Sequence, residues 1–201
     1  MSRVVLVTGG ARSGKSRYAL ERAMTYERRA FVATAVPFDA EMRRRIARHR
    51  AQRKRRFLTV EEPLDVANAL RRLPRSTQVA VVDCLTVWMG NLMHRYGDRC
   101  ARCTEIRALL RLLRRPPCDL ILVTNEVGMG IVPDNALARA FRDMAGSFNQ
   151  AVGRLADEVV WMLSGIPCAL PAFSPPNQSP PTRCGGPLTD SPRKKKRKAT
   201  P

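Results

Sequence analysis

The sequence is poor in aromatic residues, in histidine and in long apolar runs. Aromatic residues make up 5% of the 201 residues, and histidine occurs twice. No apolar run approaches the roughly 18 residues that a membrane-spanning helix needs. The first run, at positions 4–7, is too short for the core of a secretion signal and leads straight into glycines. We therefore expect a cytoplasmic protein without a membrane span.

Acidic residues are also scarce beside basic ones. There are 17 acidic and 36 basic residues, for a formal charge of +19. Such an excess suits polyanions: nucleic acid, anionic lipid or phosphorylated small molecules. The basic residues are almost all arginine, and outside the last eight residues lysine occurs only as Lys15 and Lys54. A compact ammonium at position 15 is what a phosphate-binding loop requires.

Short apolar runs alternate with amphipathic segments along the first 167 residues. The runs are short and rich in valine, isoleucine or leucine, as buried parallel strands are; they lie at 4–8, 30–34, 79–82, 120–124 and 159–163. Helical periodicity is present at 15–27, 39–56, 64–72, 104–114 and 135–157. This alternation predicts an α/β domain with a mostly parallel sheet flanked by helices.

The end of the chain has a different composition. From Pro167 the periodicity is lost, and proline, serine, glycine and a basic run, "PRKKKRK", take over. Such a segment cannot bury an apolar core. We predict a folded domain at 1–167 and a disordered, Pro-rich basic tail at 168–201.

The segment "GGARSGKS", residues 9–16, matches the phosphate-loop pattern G-x-x-x-x-G-K-[ST] between a strand and a helix. Its glycines let backbone N–H groups turn toward phosphate oxygens, and the helix N-terminus adds positive potential. We expect Lys15 to contact the β- and γ-phosphates and Ser16 to bind Mg²⁺.

Two further polar features follow predicted strands. Asp83 ends the run at 79–82, where an acid assists Mg²⁺ binding in phosphate-loop enzymes. The segment 124–135, "TNEVGMGIVPDN", follows another run and contains Asn125 and Glu126. Ligands of open α/β sheets bind at the carboxyl ends of strands. This loop is therefore either a ligand-binding loop or a plain turn before a helix beginning at Pro133.

His49 lies in an arginine-rich predicted helix. The cations near it are Arg43, Arg44, Arg45, Arg48, Arg50, Arg53, Lys54, Arg55 and Arg56. Their charge favours a neutral imidazole, which is the form that attacks phosphorus. The alternative is a histidine without a role on a solvated basic helix.

Together these segments resemble the bifunctional adenosylcobinamide kinase / adenosylcobinamide-phosphate guanylyltransferase family of cobalamin biosynthesis. The resemblance runs from about residue 4 to 167 and rests above all on "TGGARSGKSR" and "TNEVGMGIVP", with "DAEMRRRIARHR", "TVEEP" and "VVDCLTVWMGNLM". It implies a RecA-like phosphate-loop fold and a homotrimer.

The resemblance also implies two reactions. Adenosylcobinamide takes a phosphoryl group from ATP or GTP, and adenosylcobinamide phosphate then receives GMP from GTP through a GMP–histidine intermediate. The family's pattern E-M-x-x-R-I-x-x-H falls on residues 41–49, which makes His49 the implied nucleophile. With Gly9 from the loop motif, the implied nucleotide contacts are Gly10, Ala11, Arg12, Ser13, Gly14, Lys15, Ser16, Arg17, Thr34, Ala35, Val36, Arg50, Ala51, Gln52, Arg53, Glu61 and Asp83.

The chain departs from the family at two places. Lys54 and Phe57 stand where the family usually has proline and tryptophan. The family also ends on a short strand soon after "SGIP", whereas this chain begins its proline-rich segment there. Loss of that strand would weaken the edge of the sheet.

Two other interpretations remain open from the residues. Another phosphate-loop kinase or NTPase would lack guanylyl transfer and would not need His49. A basic nucleic-acid-binding module would show salt-sensitive binding of polyanions. It would leave the phosphate loop unexplained, and the basic helix has only Phe57 near its end for stacking on bases. We therefore expect no nucleic-acid partner.

Overall fold

The computed structural model describes residues 2–37, 40, 43–44, 47, 50–51 and 56–170. Over these residues the strands are β1 (Val4–Gly9), β2 (Arg29–Ala33), β3 (Leu58–Glu61), β4 (Val79–Asp83), β5 (Asp119–Val123), β6 (Glu158–Leu163) and β7 (Ile166–Leu170). They form one sheet in the order β3-β2-β4-β5-β1-β6-β7. All neighbours are parallel except β6 and β7. The predicted α/β class with a mostly parallel sheet is confirmed.

Five α-helices and one 3₁₀ helix have both ends within the described part of the chain. They are α1 (Lys15–Ala23), α2 (Val66–Arg71), α3 (Leu85–Tyr96), the 3₁₀ helix (Gly97–Arg102), α4 (Thr104–Leu113) and α5 (Ala136–Gly153). The described residues between 40 and 51 are also helical. Residues 39, 41–42, 45–46, 48–49 and 52–55 of the helix predicted at 39–56 lie outside the described residues.

The sheet buries apolar side chains on both faces because its residues alternate in direction. Val4 and Leu6 point to a core shared with α2, α3, α4 and α5. Val5 and Val7 point to a second core, where Ala19 and others from α1 pack. Helices on both faces leave the ends of the strands as the open part of the molecule.

The five predicted strands are all present, with bounds that differ by one residue at one end or at both. Four predicted helices are also present, but α1 and α5 end earlier than predicted. At the end of α1, Thr25 Oγ1 donates to Arg22 O at 2.9 Å, a local bond that competes with further helix. Four elements were not predicted: the strands β3 and β7, helix α3 and the 3₁₀ helix. The loop before α5 does not begin a helix at Pro133; the helix begins after Asn135, whose side chain accepts from Ala138 N at 3.1 Å.

Strand β7 crosses the predicted domain boundary at residue 167. It pairs antiparallel with β6, from Leu163 opposite Ile166 to Val159 opposite Leu170. Ser164 and Gly165 make the two-residue turn with φ of 51° and 87°, the positive values that such hairpins need. Pro167 is tolerated because β7 is at the edge of the sheet. A strand therefore extends past "SGIP" at this edge of the sheet, and residues 168–170, predicted to be part of the disordered tail, belong to it. The remainder of the predicted tail lies outside the described residues.

An ion pair joins the end of α1 to the amino end of β6. Arg22 Nη1 and Nη2 donate to the two carboxylate oxygens of Glu158 at 2.7 and 2.6 Å. These hydrogen bonds hold the pKa of Glu158 below its ordinary value. This ion pair joins the last turn of α1 to the start of β6.

Among the residues described, no helix is both long and apolar enough to cross a membrane.

Candidate active site

The carboxyl ends of the parallel strands meet along one edge of the sheet. Glu61, Ala33, Asp83 and Val123 lie side by side at the ends of β3, β2, β4 and β5. Val7 of β1 lies next in this row, two residues before Gly9. The edge therefore brings Glu61, Asp83 and the start of the phosphate loop into one row.

The phosphate loop follows β1 and leads into α1. Gly9 has φ 142°, and a Cβ at that position would stand 2.5 Å from Met162 O. Gly14, the residue before α1, has φ 97° and provides no side-chain cap for the helix. The first N–H groups of α1 therefore point out of the helix toward the loop, as in anion sites at helix N-termini. Both outer glycines of the motif are required by the backbone.

Lys15 lies buried within this loop, with 6% of its surface exposed. Its Nζ donates to Gly10 O, and to Ser13 Oγ at 3.3 Å. The loop is anchored from the other side, where Gly165 N donates to Ser13 O at 3.1 Å. Burial of the ammonium against carbonyl and hydroxyl oxygens places its charge where phosphate oxygens would accept hydrogen bonds.

Thr34 links the ends of β2 and β4. It is fully buried; its Oγ1 donates to Cys84 O at 2.8 Å and accepts from Cys84 N at 2.9 Å. Asn91 on α3 donates to Thr34 O at 2.8 Å. These contacts fix the backbone beside the half-buried Asp83 and position Ala35 and Val36 at the same edge.

Arg50 and Glu61 form an ion pair at the far end of this edge. Glu61 ends β3, which is four strand spacings, about 19 Å, from β1. The implied nucleotide contacts thus form two groups, one at the phosphate loop and one around Thr34, Arg50 and Glu61, with Asp83 between them. His49, Gln52 and Arg53 lie outside the described residues.

A buried polar network supports the loop after β5. Most of its residues were not predicted from the sequence to contribute to the site. Thr124 Oγ1 donates to Asn149 Oδ1 at 2.8 Å and lies 3.2 Å from Thr86 Oγ1. Asn149 Nδ2 donates to Asn125 O at 3.1 Å and to Glu126 Oε1 at 3.2 Å. The available signal was polar residues at positions that the helical and strand periodicities assign to the core.

The same loop exposes apolar side chains. The exposed fractions are 70% for Met129, 96% for Ile131 and 59% for Val132, and 62% for Leu137 at the start of α5. We call these four residues the apolar loop patch. Exposed apolar side chains that form a contiguous patch are typical of contact surfaces.

Cys100 and Cys103 have the spacing of metal ligands but a buried environment. Burial raises the pKa of the Cys100 thiol to about 11 and also raises that of Cys103. Metals bind the thiolate, so this environment disfavours them. No group of three or more histidine, cysteine or acidic residues that could hold a metal occurs among the described residues.

Comparisons with known proteins found one matching family model and several similar relatives. A model of the family described as "Cobinamide kinase / cobinamide phosphate guanyltransferase" matches residues 5–170. The chain is 42% identical over 167 residues to the bifunctional adenosylcobalamin biosynthesis protein CobP of Pseudomonas aeruginosa, covering 82% of this chain and 95% of that protein. It is 38% identical over 175 residues to CobU of Escherichia coli, covering 81% and 97%. Among solved structures, the RadB recombinase is similar at TM-score 0.45 and 18% identity, covering 79% of this chain and 73% of that one.

Proposed function

The chain belongs to the cobinamide kinase / cobinamide phosphate guanyltransferase family. From that premise we propose how the residues at the carboxyl ends of its parallel strands perform the two reactions. The enzyme phosphorylates cobinamide and transfers a guanylyl group to cobinamide phosphate. In the proposal, adenosylcobinamide takes the γ-phosphoryl group of ATP or GTP, and adenosylcobinamide phosphate then receives GMP from GTP. The product is adenosylcobinamide-GDP.

One observation carries the proposal: a complete phosphate loop with a buried lysine stands on the same edge as Asp83 and the Arg50–Glu61 pair. Phosphoryl transfer depends on positioning and on neutralising charge. The α1 N-terminus and Lys15 supply both for the phosphates. Thr34, Ala35, Val36, Arg50 and Glu61 extend the site along the edge toward β3, where they contact the rest of the nucleotide.

The donor atoms of this site fit Mg²⁺. Mg²⁺ is usually held by one or two protein oxygen ligands together with substrate phosphates and waters. Ser16 offers a hydroxyl at the start of α1, and Asp83 a carboxylate at the end of β4. These two residues would hold the ion, which would neutralise charge on the phosphates. The phosphate oxygens would also accept hydrogen bonds from Lys15 and from the backbone N–H groups of the loop.

The second reaction proceeds in two displacements. A ring nitrogen of His49 attacks the α-phosphorus of GTP, the bond to the bridging oxygen breaks, and pyrophosphate leaves. A phosphate oxygen of adenosylcobinamide phosphate then attacks the same phosphorus, and the P–N bond breaks. His49 stands next to Arg50 in the sequence, and Arg50 contacts Glu61 at the edge. This adjacency and the family pattern support His49 as the nucleophile.

The test uses GTP radiolabelled at the α-phosphate, with Mg²⁺, on the wild type, His49→Asn and His94→Asn. We expect acid-labile, base-stable label on the wild type and on His94→Asn, whose changed residue is exposed in the last turn of α3. His49→Asn should lose the label. Label that persists in His49→Asn contradicts the proposed nucleophile, and its absence from a nucleotide-binding wild type contradicts the covalent route.

The proposal extends to partners. Adenosylcobinamide and its phosphate are the acceptors, nucleic acid is not a partner, and the protein acts in the cytoplasm as a homotrimer. A cyclic trimer joins two different surfaces of each chain. The apolar loop patch supplies one exposed apolar surface, and Leu163, Ile166 and Leu170 on the β6–β7 hairpin supply another.

A further inference from the structure

We propose that Glu126 is the general base of the kinase reaction, the carboxylate that takes the proton from the acceptor hydroxyl of cobinamide as that hydroxyl attacks the γ-phosphorus. This proposal rests on the proposed placement of the nucleotide phosphates in the loop at residues 9–16. Neither the loop motif nor the implied nucleotide contacts include Glu126.

The sheet order places Glu126 beside the phosphate loop. It follows β5, which neighbours β1 directly, at one strand spacing of about 4.8 Å. Asp83 ends β4, which lies two spacings from β1, about 9.6 Å. The backbone also joins the two segments, because Glu126 N donates to Gly9 O at 3.2 Å. Of these two carboxylates, Glu126 is therefore nearer to β1, and its backbone is hydrogen-bonded to Gly9, the first glycine of the phosphate loop.

The carboxylate of Glu126 is held by two donors on different elements. Thr8 Oγ1 donates to Glu126 Oε1 at 2.6 Å, and Asn149 Nδ2 donates to the same oxygen at 3.2 Å. Neither of these hydrogen bonds occupies Oε2. A general base must be fixed in place yet offer an oxygen to the reacting hydroxyl, and this arrangement meets both conditions.

The rest of the network shows how firmly that position is specified. Asn149 and Thr124 are at least nine-tenths buried, and they bond to each other at 2.8 Å. Asn125 N donates to the buried Thr86 Oγ1 at 2.8 Å. A buried polar network is costly unless its members are satisfied, and a satisfied one rigidifies its surroundings. Helices α3 and α5 thus hold the loop that carries Glu126.

The chemistry balances without a further reactant. The hydroxyl oxygen of the acceptor forms a bond to the γ-phosphorus while its proton passes to Glu126. The bond between the γ-phosphorus and the β–γ bridging oxygen breaks, and its electron pair leaves with ADP or GDP. The protonated carboxyl then releases its proton to water. The guanylyl transfer needs no such base, because its acceptor is a phosphate oxygen that is already ionised.

This difference between the half-reactions gives the test. Glu126→Gln keeps the length of the side chain and an oxygen that accepts from Thr8 and Asn149, but it cannot act as a base. We expect kcat for phosphorylation of cobinamide to fall by about 10²–10⁴, with KM for the nucleotide within about threefold. Guanylyl transfer, started from cobinamide phosphate and GTP, should stay within about threefold of wild type. Preserved transfer also shows that the variant is folded.

The matched control is Glu27→Gln, which removes an exposed carboxylate just before β2. Glu27 lies at the amino end of that strand, whereas the candidate site lies at the carboxyl ends. It should leave both half-reactions unchanged. A kinase kcat of Glu126→Gln within about threefold of wild type overturns the proposal, as does an equal fall in both half-reactions. A wild type that does not transfer guanylyl groups would instead count against the proposed function.

A second variant tests the base itself. Glu126→Ala leaves space beside Thr8, and added formate can supply a carboxylate there. We expect formate to restore phosphorylation in Glu126→Ala in proportion to its concentration and to leave Glu126→Gln unchanged. A loss that formate does not relieve in Glu126→Ala overturns the assignment and leaves Glu126 with a purely structural role.

Discussion

At the scale of single residues, the phosphate loop depends on two neighbouring glycines in different ways. Gly9 packs against the backbone of β6, because a Cβ would meet Met162 O at 2.5 Å, and its φ of 142° strains any other residue. Gly10 has no atom within 4 Å of an added Cβ. The first glycine is therefore a packing requirement between β1 and β6, whereas the second leaves room for a ligand to approach the backbone.

This contrast predicts unequal effects of the same substitution. Gly9→Ala should lower the free energy of unfolding by about 2–4 kcal/mol, because backbone atoms of β1 and β6 must move apart. Gly10→Ala should change it by about 0.5 kcal/mol or less. Urea unfolding of both variants gives the comparison. Equal losses of stability would show that the contact with Met162 does not limit this position.

The residues of the site differ in how far the sequence alone could predict them. Lys15 and Ser16 belong to a contiguous motif whose spacing specifies a loop, so their placement followed from the sequence. Thr8, Glu126 and Asn149 meet only because β1, β5 and α5 come together. Their sequence separations exceed 20 residues, and no local pattern connects them. Contacts that depend on tertiary packing are the part of the site that the sequence does not reveal.

At the scale of elements, the same distinction explains which helices and strands were predicted. The strands β1, β4 and β5 are buried on both faces and are nearly continuous apolar runs. Helix α3 escaped prediction because it is buried on much of its surface and is capped by Cys84 instead of a usual N-cap residue. Strand β7 is mostly exposed and contains Pro167, so its apolar pattern is weak. Its turn, "SG", was the stronger signal.

The turn of the β6–β7 hairpin predicts a second pair of unequal effects. Gly165 has φ 87°, and its N–H donates to Ser13 O at 3.1 Å. Gly165→Ala should lower the free energy of unfolding by about 1–2 kcal/mol and weaken GTP binding, because the turn anchors the phosphate loop. Ser164→Gly, the control, relieves a φ of 51° in the same turn and should leave GTP affinity unchanged. Denaturant unfolding and calorimetric titration with GTP distinguish the two, and equal GTP affinities would contradict the anchoring role.

At the scale of the whole molecule, the basic charge and the exposed apolar surface are found in different parts of the chain. Of the formal charge of +19, the basic run near the end of the chain carries a substantial part, and this run lies outside the described residues. The apolar loop patch, in contrast, lies among the described residues, in the loop that follows Glu126 and at the start of α5. In the proposed homotrimer, a second copy of the chain would bury these apolar side chains.

The proposed homotrimer can be tested through the most exposed member of that patch. Ile131→Asp changes a side chain that is 96% exposed, so the folded monomer should keep its stability. A charge buried in a subunit interface without a partner is strongly destabilising, and the variant should elute as a monomer. Light scattering after size-exclusion chromatography should give three times the chain mass for the wild type and for Leu58→Asp, a control at 48% exposure on the opposite edge strand β3. A monomeric wild type, or a trimeric Ile131→Asp, would show that this patch does not join the subunits.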